Sequence, residues 1–272
     1  MYYGTNLYTN EPIELDRRKL SIPTNRLICG IAGKGKTFLM KHEMLSVLSE
    51  TEDTVIVMAS DEIYSYSDIV KMFCGETLKM NSKNENDILI TENKRIIFYD
   101  LSYMSNKLRL NAYKLCLESA FKTVCNNHRQ GRMTWIFIDE VNPILRDYPI
   151  CGENISAFLL HEIFKRARTH KCTVTLSTQY LDVLNNSDIG RSILLNTSFL
   201  TLLSIPKDDR EVIYKYYEKE LSKSVIDKYC DNALYGTGIN IINGRLFGDE
   251  YSNEMIIPFR FKSIKNNQEV EV

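Results

Sequence analysis

A chain of 272 residues, 44% hydrophobic and 25% charged, can bury one large core and is too balanced in composition for disorder or a fibrous repeat. A formal net charge of −1 and a pI near 6.5 leave none of the global footprint that marks nucleic-acid binders. No run approaches the roughly 20 apolar residues of a membrane span, and the opening Met1-Tyr2-Tyr3-Gly4-Thr5-Asn6 has no signal-peptide plan.

The segment through Pro23 is polar and turn-rich and reads as a lead-in. Arg26-Leu27-Ile28-Cys29 is a short apolar run that stops at Gly30, as a buried strand entering a glycine loop would. Beyond the loop, Phe38, Leu39, Met44, Leu45 and Leu48 recur at helical spacing, so a helix starts where the glycines end. Thr54-Val55-Ile56-Val57-Met58 and Arg95-Ile96-Ile97-Phe98-Tyr99-Asp100 are β-rich runs ending in polar residues, with a polar loop over 75–87 between them. Residues 108–129 carry a 3.6-residue period through Leu110, Tyr113, Leu117, Phe121 and Val124, which predicts a helix covering the sheet. It feeds into Thr134-Trp135-Ile136-Phe137-Ile138-Asp139, apolar almost to its end, as a central parallel strand is when helices bury both faces.

Further on, the pattern predicts a helix over 154–169, a strand over 172–177, a helix near 187–196 and a strand over 199–203. Strands alternating with helices predict an α/β fold with an open, mostly parallel sheet. From Gly236 the grammar changes. Runs 237–242 and 245–247 flank Asn243-Gly244, the signal of a short antiparallel hairpin. The chain is thus expected to form a single domain, 1–272, with a lead-in at 1–24, a core at 25–235 and a C-terminal β hairpin and tail at 236–272.

The chemistry begins at Gly30-Ile31-Ala32-Gly33-Lys34-Gly35-Lys36-Thr37, which fits the P-loop pattern G-x-x-x-x-G-K-[ST]. Glycines let successive backbone N–H groups curl inward onto phosphate oxygens, and the following helix adds its positive dipole end. Lys36 is then the residue that reaches the β- and γ-phosphates, Thr37 a ligand of Mg²⁺, and Phe38 the next residue beside the bound nucleotide. Asp139 and Glu140, at a strand tip, supply the carboxylates the loop lacks: Asp139 for the metal and Glu140 for polarising the attacking water.

Gln179 closes the next apolar strand, within reach of a γ-phosphate, and is a candidate to orient that water; a polar residue that merely ends a strand would look the same. Arg166 and Arg168 sit near the end of the helix after Asp139. Positive side chains suit a helix C-terminus, and the same residues could act as arginine fingers on a neighbouring subunit's γ-phosphate; Arg210 is a weaker candidate. The histidines have no metal-ligand spacing, the seven scattered cysteines read as reduced structural thiols, and Tyr214, Tyr216 and Tyr217 read as packing residues.

Taken in order, Tyr2-Tyr3-Gly4, Asp16-Arg17, the P-loop, Lys41-x-Glu43, the 134–140 run, Phe158-Leu159 to Lys165-Arg166-Ala167-Arg168, Thr178-Gln179, Leu195-Asn196, Asp209-Arg210 and Gly236-x-Gly238 resemble a family's successive blocks. The family is the ATPase domain of the conjugative-transfer ATPases of type IV secretion systems, in the RecA-like FtsK/HerA branch of P-loop NTPases. The resemblance implies a RecA-like fold and hydrolysis of Mg-ATP. It also implies a homo-oligomeric ring, a hexamer, with arginine fingers acting in trans, and a cytoplasmic position on the inner face of the membrane through channel subunits. Family members carry an N-terminal docking domain, so the chain is expected to be a separated or truncated motor. Two positions depart from the pattern: Ala59-Ser60-Asp61-Glu62-Ile63-Tyr64 replaces an Asp-Pro-x-x-Glu-Tyr element, and Ala32 and Lys34 replace a proline and a small hydroxyl residue. A non-hydrolysing assembly module and a DNA-translocating coupling ATPase are the alternatives; charge gives DNA no support as a partner.

Overall fold

The computed structural model describes residues 1–19, 22–60, 63–80, 94–104, 106–145, 155–217, 222–231, 234–247, 250 and 253–261. Asp61 and Glu62, the end of the expected 75–87 loop, Cys151, Asn154 and the tail after Phe261 lie outside the described residues.

In chain order the elements are β1 (Tyr2–Asn6), β2 (Pro12–Glu14), β3 (Asn25–Cys29), α1 (Lys36–Glu50), β4 (Thr54–Ala59), α2 (Ile63–Met72), β5 (Glu76–Lys79) and β6 (Ile96–Asp100). Next come α3 (Asn106–Arg129), β7 (Thr134–Asp139), the short α4 (Asn142–Leu145), α5 (Ile155–Arg166), β8 (Cys172–Thr178), the short α6 (Asp182–Asn185) and α7 (Asp188–Leu195). The chain continues through β9 (Thr197–Leu202), α8 (Lys207–Tyr217), α9 (Lys223–Cys230), β10 (Thr237–Asn243) and β11 (Glu254–Arg260).

All strands join one sheet in the order β2-β1-β11-β10-β9-β3-β8-β7-β4-β6-β5. From β9 to β5 neighbouring strands are parallel, and from β2 to β9 they are antiparallel. Strands β3, β4, β6, β7 and β8 are buried at every residue, because their side chains alternate between two apolar layers. Ile136, Ile138 and Leu176 join the layer of α3 and α5, while Trp135, Phe137 and Val57 join that of α1 and α2.

Three departures from the sequence reading have physical causes. The lead-in is not irregular: β1 and β2 extend the sheet by pairing β1 with β11, a partner far along the chain that no local pattern announces. The antiparallel region is therefore four strands wide rather than a lone hairpin. Within it β10 pairs with β11 and not with 245–247, because the Asn243 side chain accepts from Arg245 N–H (3.1 Å) and winds Gly244–Leu246 into a 3₁₀ turn. The supposed loop after Gly75 opens with β5, a charged edge strand of alternating exposure. Gly75 is required there, since a Cβ would stand 2.2 Å from Ile96 Cγ2. Helices α2, α8 and α9 add elements the pattern does not single out; Tyr217 is buried on α8, with Tyr214 and Tyr216 packed against the same core.

Helix α1 is anchored by a buried ionic cluster. Glu43 accepts from Arg17, from Arg26 Nη1 (3.0 Å) and from the Tyr3 hydroxyl (2.9 Å), and Arg17 also donates to Thr24 O (2.9 Å) and Thr173 Oγ1 (2.8 Å). Burial lowers the Arg17 pKa to about 10 and that of Arg26 to about 9. The cluster ties the helix behind the glycine loop to β1, β3 and β8.

Candidate nucleotide-binding site

Parallel strands deliver their C-terminal ends to one edge, and the P-loop, Asp139 and Thr178 all lie there. Gly30 leaves β3 beside Leu203, whose Cβ would stand 2.8 Å from a Cβ at that position. Gly33 and Gly35 take φ of 76° and 101°, conformations that suit glycine, and turn the loop into α1. Gly35 is the N-cap of α1 and offers no side-chain cap, and the loop and the first turn of the helix line a cavity of about 340 Å³. Lys36 Nζ bridges the loop by donating to Gly30 O (2.7 Å) and Ile31 O (3.2 Å).

Thr37, one residue into α1, donates from Oγ1 to Asp139 Oδ2 at 2.9 Å. The same Oδ2 accepts from the Tyr66 hydroxyl (2.6 Å), and Oδ1 accepts from Ser177 Oγ (2.6 Å). A hydroxyl and a carboxylate this close are hard oxygen donors of the kind Mg²⁺ takes from proteins, with phosphates and water completing its shell. Among the described residues no cluster of three or more His, Cys, Asp or Glu forms an all-protein metal cage. The donor set thus fits Mg²⁺ held together with a polyphosphate.

Glu140 leaves β7 in the left-handed region (φ 65°), a strained conformation held by its N–H donating to Ser177 Oγ (2.8 Å) and by Val141 N–H donating to Ser177 O (2.9 Å). The turn aims its side chain into the cavity beside Asp139, Lys36 and Gln179. Burial raises the Glu140 pKa above the ordinary carboxylate value, against the opposing pull of Lys36 and a hydrogen bond from Gln179. Oε1 is buried without a hydrogen-bond partner among the described residues, the state of an acceptor facing a site for water or ligand. Gln179 is carried by a turn pinned on both sides. Thr178 Oγ1 donates to Asn142 Oδ1 (2.8 Å), and Asp209 accepts from Leu181 and Asp182 N–H (3.0 and 3.1 Å).

The predicted residues Ala32, Gly33, Gly35, Lys36, Thr37, Phe38, Asp139, Glu140 and Gln179 line one cavity, joined by Lys41, which the sequence gives only within the Lys41-x-Glu43 block, and by Tyr235, which it does not single out. Tyr66 and Ser177 were also missed as partners of Asp139. Ser177 was legible in principle, since in the β7–β8 register, which pairs Ile138 with Leu176, it stands level with Asp139.

The arginines lie elsewhere. Arg166 ends α5, half-exposed, paired with Glu162 (3.0 Å) and over the Phe121 ring, and Arg168 is exposed just beyond. Chain direction sets them where β8 begins, at the sheet edge opposite the P-loop. Arg210 is not an exposed finger: it is buried and paired with Asp227 (2.6 Å) and Asp231 (3.1 Å), bracing α8 against α9.

No protein-family model matches the chain, and a search of curated proteins returns no match. Solved structures do match. VirB4 of Thermoanaerobacter pseudethanolicus superposes with a TM-score of 0.75 at 12% identity, over 97% of this chain and 96% of that one. EccC of Thermomonospora curvata (ATPases 2 and 3, with a signal sequence peptide) gives 0.57 at 14% identity; 97% of this chain is covered but only 40% of that one. The genome packaging NTPase B204 of Sulfolobus turreted icosahedral virus 2, in complex with AMPPCP, gives 0.53 at 15% identity over 86% and 95% of the two chains. The fold is that of a RecA-like P-loop NTPase.

Proposed function

We propose that residues 1–272 act as one RecA-like motor domain that binds and hydrolyses Mg-ATP to energise a conjugative type IV secretion apparatus. The observation that carries this reading is the 2.9 Å contact between Thr37 Oγ1 and Asp139 Oδ2 at the mouth of the glycine loop, with Glu140 and Gln179 at its side. The similarity to VirB4 over almost the whole of both chains supports the choice among P-loop motors.

In this mechanism the loop N–H groups and the start of α1 bind the phosphates, and Lys36 exchanges its contacts with Gly30 and Ile31 for the β- and γ-phosphates. Thr37 and Asp139 would hold Mg²⁺, which neutralises charge on the β- and γ-oxygens when bound. Glu140 accepts the proton of the attacking water and Gln179 orients that water, with the carboxyl already depleted of hydration by burial. Arg166 and Arg168, outside their own cavity, are available to complete a neighbour's site in a homo-oligomeric ring, as a hexamer would require. Among the described residues no helix is long and apolar enough to cross a membrane. Attachment to the inner face of the membrane would come through secretion-channel subunits. B204 is a genome packaging NTPase, but the net charge of −1 lends a DNA-translocating role for this chain no weight.

The test is ATP turnover across a range of protein concentrations, with Lys36→Ala, Glu140→Gln and Arg166→Ala alongside. Activity that rises more than linearly and is lost in all three variants supports the ring motor. If the wild type binds Mg-ATP yet turns over no faster than Glu140→Gln, the hydrolytic reading fails and a binding module takes its place.

A further inference from the structure

We infer that Tyr235 is the platform for the nucleoside base, so that an aromatic nucleoside triphosphate lies across the tip of β3 with its γ-phosphate at Glu140 and its base at Tyr235. The inference deepens the nucleotide-site reading above and rests on it.

Sheet order separates the two ends of the cavity. Asp139, Glu140 and Gln179 follow β7 and β8 on one side of β3, whereas Tyr235 immediately precedes β10, beyond β9 on the other side. The phosphate-binding loop spans the middle, so the Tyr235 end is left for the part of the ligand that is not phosphate.

That end is built rather than incidental. Gly236 N–H donates to Lys34 O (3.4 Å), Phe261 N–H donates to Gly236 O (2.8 Å), and Thr237 donates to Leu234 O from both its N–H (3.0 Å) and its Oγ1 (2.7 Å). The turn carrying Tyr235 is thus pinned to the P-loop on one side and to the end of β11 on the other. The hydroxyl end of the ring overlies Gly35, where a Cβ would stand 3.4 Å from Tyr235 Cζ, and Phe38 braces it at 6.1 Å between centroids. Phe38 is itself held edge-on by Phe261 at 5.5 Å.

Although its turn is so firmly mounted, Tyr235 remains 48% exposed where it lines the cavity. A rigid aromatic with an open surface at the non-phosphate end of a polyphosphate cavity is suited to stacking a base. Lys41, one turn of α1 beyond Thr37, also lines the cavity and adds a hydrogen-bond donor to it. Because every base has a π-face, such a platform selects an aromatic base over none, rather than adenine over guanine.

The experiment is equilibrium binding of ATP, GTP and inorganic tripolyphosphate to the full chain, measured calorimetrically with Mg²⁺. The wild type should bind ATP and GTP about tenfold more tightly than tripolyphosphate. Tyr235→Ala and Tyr235→Leu should bring all three together by weakening the nucleotides alone, and Tyr235→Phe should keep the preference. A preference unchanged in Tyr235→Ala and Tyr235→Leu overturns the proposal, as does loss of tripolyphosphate binding in both, which would make the ring a strut of the loop. If the wild type binds none of the three, the nucleotide reading itself has failed.

Discussion

The Tyr66 hydroxyl donates to Asp139 Oδ2 at 2.6 Å, linking α2 to the tip of β7. Thr37 shares that oxygen, and Ser177 holds the other. In the proposed mechanism Thr37 would turn its own oxygen toward Mg²⁺ while Tyr66 and Ser177 still fix the carboxylate, which would make Tyr66 a positioning residue for the metal ligand. A hydrogen bond to a charged group contributes ~1.5–3 kcal/mol. Tyr66→Phe should therefore raise the Mg²⁺ concentration needed for half-maximal nucleotide binding by about tenfold while leaving Mg²⁺-free binding unchanged. Titrating Mg²⁺ against a fluorescent nucleotide reads this directly, and equal curves for both proteins would reduce Tyr66 to a packing residue.

Glu140 gives a prediction of opposite sign for stability and activity. Its folded-state pKa is raised, chiefly by burial, so the folded chain holds a proton that the unfolded chain releases first. Stability is then lost as pH rises from the unfolded carboxylate value, about 4.3, through the raised folded value. Glu140→Gln carries no such ionisation. At pH 7 it should melt at a higher temperature than the wild type, with the gap closing below about pH 4, while turnover is abolished. Because Gln179 pulls the Glu140 pKa down, Gln179→Leu should move the acid limb of the pH–rate profile to higher pH. Melting curves across pH and a pH–rate profile check the two halves separately.

What the sequence made legible follows from how local each signal is. The β3–loop–α1 unit and the apolar run into Asp139 carry their meaning in consecutive residues, because strands buried on both faces read as continuous apolar runs. Strands β1 and β2 are half-exposed, broken by a register shift between Tyr2 and Thr5, and depend on β11 for pairing; nothing nearby announces them. Tyr66 reaches Asp139 only because β4 neighbours β7, a relation set by the sheet and not by spacing. Arg210 illustrates the converse. A basic residue in a polar run suggests a surface finger until Asp227 and Asp231 are folded against it.

The Arg17–Glu43–Arg26 cluster should be the costliest polar site to break. Its side chains are almost wholly buried, so removing the acid leaves two guanidinium groups out of water with no compensating charge. Such a deletion costs ~3–5 kcal/mol. Glu43→Ala should lose stability on that scale in chemical denaturation. Replacing all three with apolar residues of similar volume should cost far less, since the desolvation penalty goes with the charges. A small loss in Glu43→Ala would mean that water reaches the cluster.

Arg166 and Arg210 separate the trans-acting role from the structural one. Arg166 is half-exposed in a helical pair with Glu162, a type of contact contributing ~0–1 kcal/mol, so Arg166→Ala should leave the melting temperature nearly unchanged. Arg210→Ala orphans Asp227 and Asp231 and frees α8 from α9, and it should destabilise the fold by ~1–3 kcal/mol. If Arg166 serves a neighbour's site, its loss should cut turnover by about three orders of magnitude. Mixing then supplies the decisive comparison. Arg166→Ala subunits keep an intact P-loop and Lys36→Ala subunits keep an intact arginine, so a mixed assembly contains interfaces with both. Turnover recovered on mixing two inactive proteins places Arg166 across a subunit boundary, whereas no recovery from subunits that still associate returns it to its helix-terminal role.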